Sequence, residues 1–110
     1  MGDDRADLLQ GTLDLLILKA LALGAMHGWG IAQRLAQLSA QALQVQQGSL
    51  YPAVRRLERQ GLVRSRWATS ENNRRARYYE LTRRGEAQLG EEIDAWQRFA
   101  AVVARVLEAT

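Results

Sequence analysis

Arginine side chains in two short groups are the residues of this sequence best suited to specific chemistry. Arg55, Arg56 and Arg59 follow closely on Tyr51, and a second pair, Arg74 and Arg75, comes later in the chain. A guanidinium is always charged, and its planar set of donors matches phosphate oxygens and the edge of guanine. The two groups therefore point to the binding of a polyanion rather than to bond-breaking chemistry.

The charge of the chain is divided sharply along its length. The formal net charge is +3, but residues 34–84 carry 11 basic and 3 acidic side chains, whereas the rest carries 4 basic and 9 acidic ones. Fourteen of the 15 basic residues are arginine. A basic middle segment between acidic ends indicates nucleic acid as its partner, although a solvated charged surface is the alternative on charge alone.

Residues that enzymes use as nucleophiles and general bases are scarce. Cysteine is absent, His27 is the only histidine, and the carboxylates are spread along the chain without forming an acid–base pair. Gly28 and Gly30 begin like a dinucleotide-binding fingerprint, but the third glycine is missing and no predicted strand precedes them. We therefore expect neither an enzyme nor a metal or cofactor, and we assign His27 to capping or packing rather than to a functional titration.

Length and composition predict one compact domain with a packed core, since the chain has 110 residues, 47% hydrophobic and 25% charged. The first seven residues are acidic and polar, the reverse of a secretory signal. The longest apolar stretches fall far short of the roughly 20 residues that cross a bilayer. We expect a cytoplasmic protein without a membrane partner.

Two helices and a brief strand are predicted before the first arginine group. Leu8–Leu23 is largely apolar, and Gly24 is placed to end that helix. A second helix begins near Gly28. Its apolar stripe comprises Ile31, Leu35 and Leu38. Leu43–Gln46 alternates apolar and polar residues, which allows a short strand.

The third predicted helix ends at Gly61, and its two faces differ. Ser49 is expected to be its N-cap, which places Pro52 in the first turn, where no backbone donor is needed. At about 100° per residue one face is apolar: Leu50, Ala53, Val54 and Leu57. The opposite face carries Tyr51, Pro52, Arg55, Arg56 and Arg59. We expect the first face to pack and the second to meet a partner.

A β-hairpin and a long helix are predicted to complete the chain. Leu62–Trp67 and Arg77–Leu81 have strand character, and turn residues fill the segment 68–76 between them. Thr82 caps the final helix, whose apolar residues step by four and three: Leu89, Ile93, Trp96, Ala100, Val103 and Leu107. A second stripe flanks them: Ala95, Phe99, Val102 and Val106. One neighbour cannot cover both stripes, so we expect a second copy of the chain to do so.

Three helices, a hairpin and a helix follow the order of a winged helix-turn-helix domain, mainly α with a small β-hairpin. In that fold the third helix enters the major groove and the hairpin touches the flanking backbone, and these two elements carry the arginines. We place the DNA-binding domain, with its N-terminal helix, at residues 1–85 and the dimerisation helix at residues 86–110. A winged helix that binds protein is the alternative, but it would have little use for both arginine groups.

Seven short motifs extend over nearly the whole chain: Gly11-Thr12-Leu13, His27-Gly28-Trp29-Gly30-Ile31, Gly48-Ser49-Leu50-Tyr51-Pro52-Ala53, Leu57-Glu58, Gly61-Leu62, Arg77-Tyr78-Tyr79 and Leu81-Thr82-Arg83-Arg84-Gly85. Together they resemble the PadR family of transcriptional regulators, in its shorter branch with a single C-terminal helix. Trp29 and Gln47 depart from the pattern, which usually has tyrosine at the first position and often proline at the second.

The resemblance implies a repressor that binds inverted-repeat operators as a homodimer and is released by a small molecule. Helical phase, charge and resemblance name the same DNA-binding residues: Ser49, Tyr51, Pro52, Arg55, Arg56, Arg59, Arg74 and Arg75. Tyr51 has packing against the hairpin as its alternative role. Arg56 and Arg59 are expected at phosphate or in solvent, and Arg74 and Arg75 at the DNA backbone or minor groove, or in solvent. Trp96 and Phe99 either line a site for a planar aromatic effector or fill the dimer core.

Overall fold

The computed structural model describes the backbone of residues 2–110 and the side chains of residues 11–110. This part of the chain forms four helices, α1 (Gly2–Ala22), α2 (Gly28–Leu38), α3 (Gln47–Arg59) and α4 (Arg83–Leu107), and three strands, β1 (Met26–His27), β2 (Val63–Thr69) and β3 (Arg75–Leu81). The strands form an antiparallel sheet in the order β1-β3-β2. The winged-helix architecture predicted from the sequence is confirmed. None of the described helices is long and apolar enough to cross a membrane.

The apolar face of α3 lies at the centre of the core. Leu50 and Val54 are fully buried, and they belong to one cluster with Ile17 of α1, Ile31 of α2 and Tyr79 of β3. This burial confirms the predicted packing face of α3. The stripe predicted for α2 is wrong at its last member, because Leu38 is 58% exposed at the end of the helix, where the chain turns away from the core.

The junction between α1 and α2 is held by two polar side chains. The guanidinium of Arg34 donates to the carbonyl oxygens of Ala20, in the last turn of α1, and of Gly24, just beyond the helix, at 2.8 and 2.9 Å. His27 is buried and accepts a hydrogen bond at Nδ1 from the Gly30 N–H, which confirms its predicted capping role. Both side chains therefore stabilise helix ends.

The start of α3 differs from the sequence prediction. Leu43–Gln46 is not a strand but irregular chain, and the N-cap is Gln46 rather than Ser49, because the Gln46 carbonyl already accepts from the N–H groups of Ser49 and Leu50. Pro52 consequently lies inside the helix and not in its first turn. The donor that it lacks would have served the carbonyl of Gly48, and Gly48 is at the exposed surface, so this carbonyl is not buried without a partner.

The hairpin is longer and its turn shorter than predicted. β2 and β3 pair from Val63 with Leu81 to Thr69 with Arg75, which leaves residues 70–74 in the turn instead of 68–76. A third strand, β1, was missed in the sequence because two residues show no periodicity. It pairs Met26 with Tyr79 and ties the start of α2 to the hairpin.

The hairpin and α4 meet at a tight junction. Thr82 accepts a hydrogen bond from the Gly85 N–H at 3.1 Å, which confirms the predicted cap, and its hydroxyl donates to the Gly61 carbonyl at 2.7 Å. Gly85 is buried, and a Cβ there would overlap the carbonyl oxygen of Leu62. The absence of a side chain at Gly85 therefore allows α4 to start against β2.

Exchange of Gly85 for alanine is expected to destabilise the fold by about 2 kcal/mol or more, because the backbone at Leu62 has to move to admit the methyl group. Gly90 is the matched control: it is an exposed glycine of the same helix with open space around its Cβ position. Gly90→Ala should stabilise by about 0.5–1 kcal/mol through helix propensity. Urea unfolding of both variants measures the difference. Equal stability of the two variants would contradict this account of the junction.

Candidate nucleic-acid interface

The outer face of α3 borders an open cleft of about 750 Å³. Pro52, Arg55 and Arg59 are exposed, and Tyr51 and Arg56 are partly buried. The cleft is lined by Gln47, Gly48, Tyr51, Pro52, Arg55, Arg56 and Arg59. Ser49 is exposed in the first turn of α3 but does not line it. Five of the candidates from the third predicted helix thus share one surface, as the helical phase predicted.

Arg56 is bound to α1 as well as bordering the cleft. Its guanidinium lies 2.6 Å from a carboxylate oxygen of Asp14, and both side chains are largely shielded from solvent. Burial raises the pKa of the Asp14 carboxyl above its ordinary value, although the hydrogen bond and charge of Arg56 act in the opposite direction. Arg56 therefore anchors the outer face of α3 to α1, a role that the sequence did not indicate.

Tyr51 is held in place by close packing. The hydroxyl side of its ring lies against Gly28, where a Cβ would overlap the ring atoms. It also borders a second cleft of about 350 Å³ between the start of α2 and the hairpin tip, together with Arg74, Arg75 and Arg77. One carboxylate, Glu71, lines this cleft as well and lies 3.6 Å from Nε2 of His27. The two clefts meet at Tyr51, so the structure brings the α3 candidates and the hairpin arginines onto one continuous surface.

The two faces of the hairpin have different surroundings. Val63 and Tyr79 are buried, which defines their face as the inner face, directed at the core. Side chains alternate along a strand, and paired residues share a face. Towards the tip, the inner face therefore carries Trp67, Arg77 and Arg75. Trp67 is 58% exposed, and the Arg75 guanidinium lies 5.6 Å from the centre of its indole ring system.

A carboxylate sits between α3 and the inner face. Glu58 accepts hydrogen bonds from the Ser65 hydroxyl and from Nη2 of Arg77, the latter at 3.3 Å, and Arg77 also donates from Nε to Ser65 at 2.8 Å. These three residues join α3 to the hairpin. Arg77 was not among the predicted site residues, but its place two residues before buried Tyr79 is the period-2 signal that could have found it.

The charged side chains on the opposite, outer face of the hairpin interact with other side chains of the hairpin. Arg64 pairs with Glu80 at 2.9 Å, and Arg66 lies over the ring of Tyr78. This face is therefore less available to a polyanion than the inner face.

Several arginines of the continuous surface keep their charge uncompensated. Among the side chains of residues 11–110, no carboxylate lies within 4 Å of Arg55, Arg59, Arg74 or Arg75. The predicted dimerisation residues do not join this surface, because they extend along α4. The structure thus separates a cationic surface on α3 and the hairpin from an apolar surface on α4.

A winged helix with an arginine-bearing third helix and wing is the architecture of a DNA-binding transcriptional regulator. Sequence comparison agrees: the family described as "Transcriptional regulator PadR-like family" matches residues 17–91. This match covers more than half of the chain, so the protein belongs to the PadR-like family of transcriptional regulators. The resemblance drawn from the motifs is confirmed.

Solved structures and a curated relative resemble the chain over nearly its full length. A transcriptional regulator from Clostridium thermocellum is 25% identical, with a TM-score of 0.80, covering 90% of this chain and 93% of that one. A PadR-like transcription factor from Bacteroides fragilis is 28% identical, with a TM-score of 0.78 and coverage of 94% and 98%. An uncharacterised protein of Lysinibacillus sphaericus is 24% identical over 104 residues, 94% of this chain and 95% of its own.

The partly buried Asp14 carboxylate gives the stability of the protein a specific pH dependence. Its pKa is raised in the folded state above the ordinary value of 3.8, so the folded protein binds this proton more tightly than the unfolded chain. The stabilising contribution of the neutral form is present below pH 3.8 and is lost as pH rises through the folded pKa. Asp14→Asn, which stays neutral, should therefore gain stability relative to wild type as pH rises.

Urea unfolding of both proteins between pH 3 and 7 measures this trend. Glu80→Gln is the control, because Glu80 also pairs with an arginine but lies on the outer face of the hairpin. A stability difference between Asp14→Asn and wild type that shrank with rising pH would show that the Arg56 pair outweighs burial.

Proposed function

We propose that the protein represses transcription by binding an inverted-repeat operator as a homodimer. The observation that carries this proposal is the continuous cationic surface, in which α3 and the inner face of the hairpin border adjoining clefts that meet at Tyr51. A bound dimer would block access to the DNA that it covers. Two copies related by symmetry would place their α3 helices on half-sites about one helical turn apart.

Sequence reading is assigned to α3. Tyr51 and Arg55 enter the major groove, and Arg55, exposed and unpaired among the described side chains, is suited to a bidentate contact with guanine. Ser49, in the first turn of α3, and Pro52, in the second, lie beside the DNA. Arg56 and Arg59 meet phosphate, which adds affinity without reading sequence.

The hairpin is assigned to the flanking backbone. Arg74 is exposed at the turn, and Arg75 is exposed beside Trp67, whose ring limits the directions that the guanidinium samples. Both are proposed to contact phosphate or the minor groove. Contacts of this kind position the protein on the duplex and make its affinity dependent on salt.

Exchange of Arg55 for alanine is expected to cost about 1–3 kcal/mol of affinity for a duplex selected in vitro, and to relax the preference at one position of each half-site. Arg74→Ala should instead weaken binding to selected and scrambled duplexes alike, and should lower the salt slope by about 1. Fluorescence anisotropy with both duplexes at several salt concentrations measures the two effects.

Arg64→Ala is the matched control for these variants, because Arg64 is paired with Glu80 on the outer face of the hairpin. It should bind the selected duplex nearly as wild type does. Folding and assembly are checked for each variant by circular dichroism and sedimentation. Should Arg55→Ala and Tyr51→Ala both bind the selected duplex with wild-type affinity, α3 is not the reading element.

Dimerisation is assigned to α4. Leu89 is buried and Ile93 is partly buried within the chain, but the helix then continues without cover. Six of the ten exposed large apolar side chains in the described part of the chain lie in this segment: Trp96, Phe99, Val102, Val103, Val106 and Leu107. Such a contiguous apolar surface is typical of an interface. Ala100 lies among them and completes the predicted seam.

A glutamate in place of Val103 is expected to dissociate the dimer, since it would put a charge into the apolar seam. Sedimentation at low micromolar concentration should give about twice the 12.3 kDa chain mass for wild type and the chain mass for the variant. Gln97→Glu is the control, because it adds the same charge on the polar side of α4. A folded wild-type monomer at this concentration would contradict the proposal.

Trp96 and Phe99 belong to the surface assigned to the second copy. They either fill the core of the dimer or line a site for a planar aromatic effector that releases the repressor. We favour the core, because both side chains are about half exposed in the single chain and lie inside the apolar stripe that the partner has to cover. The effector site remains the alternative for the same two rings, which would then stack on the ligand.

A further inference from the structure

Arg77 is an arginine of the inner face whose position is set by two neighbours. Its Nε donates to the Ser65 hydroxyl at 2.8 Å, and its Nη2 donates to Glu58 at 3.3 Å. Among the described residues, Nη1 has no hydrogen-bond partner. Two of the three guanidinium nitrogens are thus anchored, while the third is left to reach a ligand.

The surroundings of Arg77 indicate which ligand that is. Arg77 is about half exposed and borders a cleft of about 440 Å³ between α3 and the hairpin. Arg55 and Arg59 line the same cleft from the α3 side. A DNA strand that meets those two side chains would pass the free end of Arg77, and its phosphate oxygens suit a guanidinium.

Attraction between arginine and phosphate does not by itself explain why the carboxylate of Glu58 lies in this cleft. It is a carboxylate in a cleft lined by three arginines, where it repels phosphate. Its oxygen accepts from both Ser65 and Arg77, so the carboxylate is directed at the hairpin. Such an anchor reduces the number of conformations that Arg77 has to give up when it binds.

We propose that Arg77 contacts a DNA phosphate between α3 and the hairpin, and that Glu58 and Ser65 are positioning residues that hold its guanidinium there. This assignment rests on the proposed DNA-binding function. It adds to the interface one contact that the sequence did not predict, and it gives a role to the one carboxylate of the cleft.

Arg77→Ala is expected to weaken binding about tenfold on selected and scrambled duplexes alike, and to lower the salt slope by about 1. Glu58→Gln separates positioning from charge. The variant removes the negative charge and leaves an amide oxygen, which is a weaker acceptor for a guanidinium. Loss of the charge near DNA should by itself tighten binding, whereas weakening of the anchor should weaken binding several-fold. Ser65→Ala removes the other anchor without any change of charge, and it should weaken binding in the same direction.

Glu80→Gln is the matched control, because it removes the same charge from the outer face of the hairpin and frees Arg64 instead of Arg77. It should bind as wild type does or slightly more tightly. In the Arg77→Ala background, Glu58→Gln should no longer weaken binding and should behave like Glu80→Gln. If Glu58 and Ser65 only joined α3 to the hairpin, the effect of Glu58→Gln on affinity would not change from a loss to a gain when Arg77 is replaced by alanine.

Anisotropy titrations at several salt concentrations, with folding and assembly checked by circular dichroism and sedimentation, decide the matter. The positioning role is overturned if Glu58→Gln tightens binding and Ser65→Ala binds as wild type does. The contact itself is overturned if Arg77→Ala keeps wild-type affinity. Arg55→Ala shows which of the two proposals has failed. If this variant loses affinity for the selected duplex, the proposed function is supported even when the Arg77 variants behave like wild type. Wild-type protein that binds no duplex overturns the proposed function and the Arg77 contact together.

Discussion

Burial of one face of α3 is the constraint on which the rest of the structure depends. Leu50, Val54 and Leu57 are almost completely inaccessible, and they pack with residues of α1, α2 and the sheet. Because a helix has 3.6 residues per turn, burial of these positions directs Arg55 and Arg59 outward. The same packing brings Tyr51 against Gly28, which connects the outer face of α3 to the start of α2.

The alternation of side chains along the two strands of the hairpin is a second constraint, and it determines which residues face α3. Tyr79 and Val63 are buried in the core, so the residues in phase with them face α3 as the hairpin leaves the core. Arg77 and Trp67 acquire their positions in this way. Gly85 then allows α4 to begin against Leu62, which fixes the direction in which the long helix leaves the domain.

The role of each arginine depends on the position that this packing gives it. Arg34 donates to backbone carbonyls at the end of α1, and Arg64 pairs with Glu80. These arginines stabilise the domain, so the cationic surface is smaller than the count of basic residues suggests. Four arginines without a carboxylate within 4 Å, Arg55, Arg59, Arg74 and Arg75, lie on α3 and at the hairpin tip, and six of the ten exposed large apolar side chains of the described residues lie on α4. The two surfaces are therefore available to different partners.

The sequence was sufficient to predict the features that depend on local spacing or short motifs. These are the element order, the packing face of α3, the capping roles of His27 and Thr82, and the family. The sequence did not predict the start of α3, the exposure of Leu38 or the strand β1. These features depend on how the chain enters and leaves its helices, which is decided by the packing of the whole domain. The Glu58, Ser65 and Arg77 cluster and the Asp14–Arg56 pair join residues far apart in sequence. Local periodicity shows which way a side chain faces, but only tertiary packing decides which distant side chain it meets.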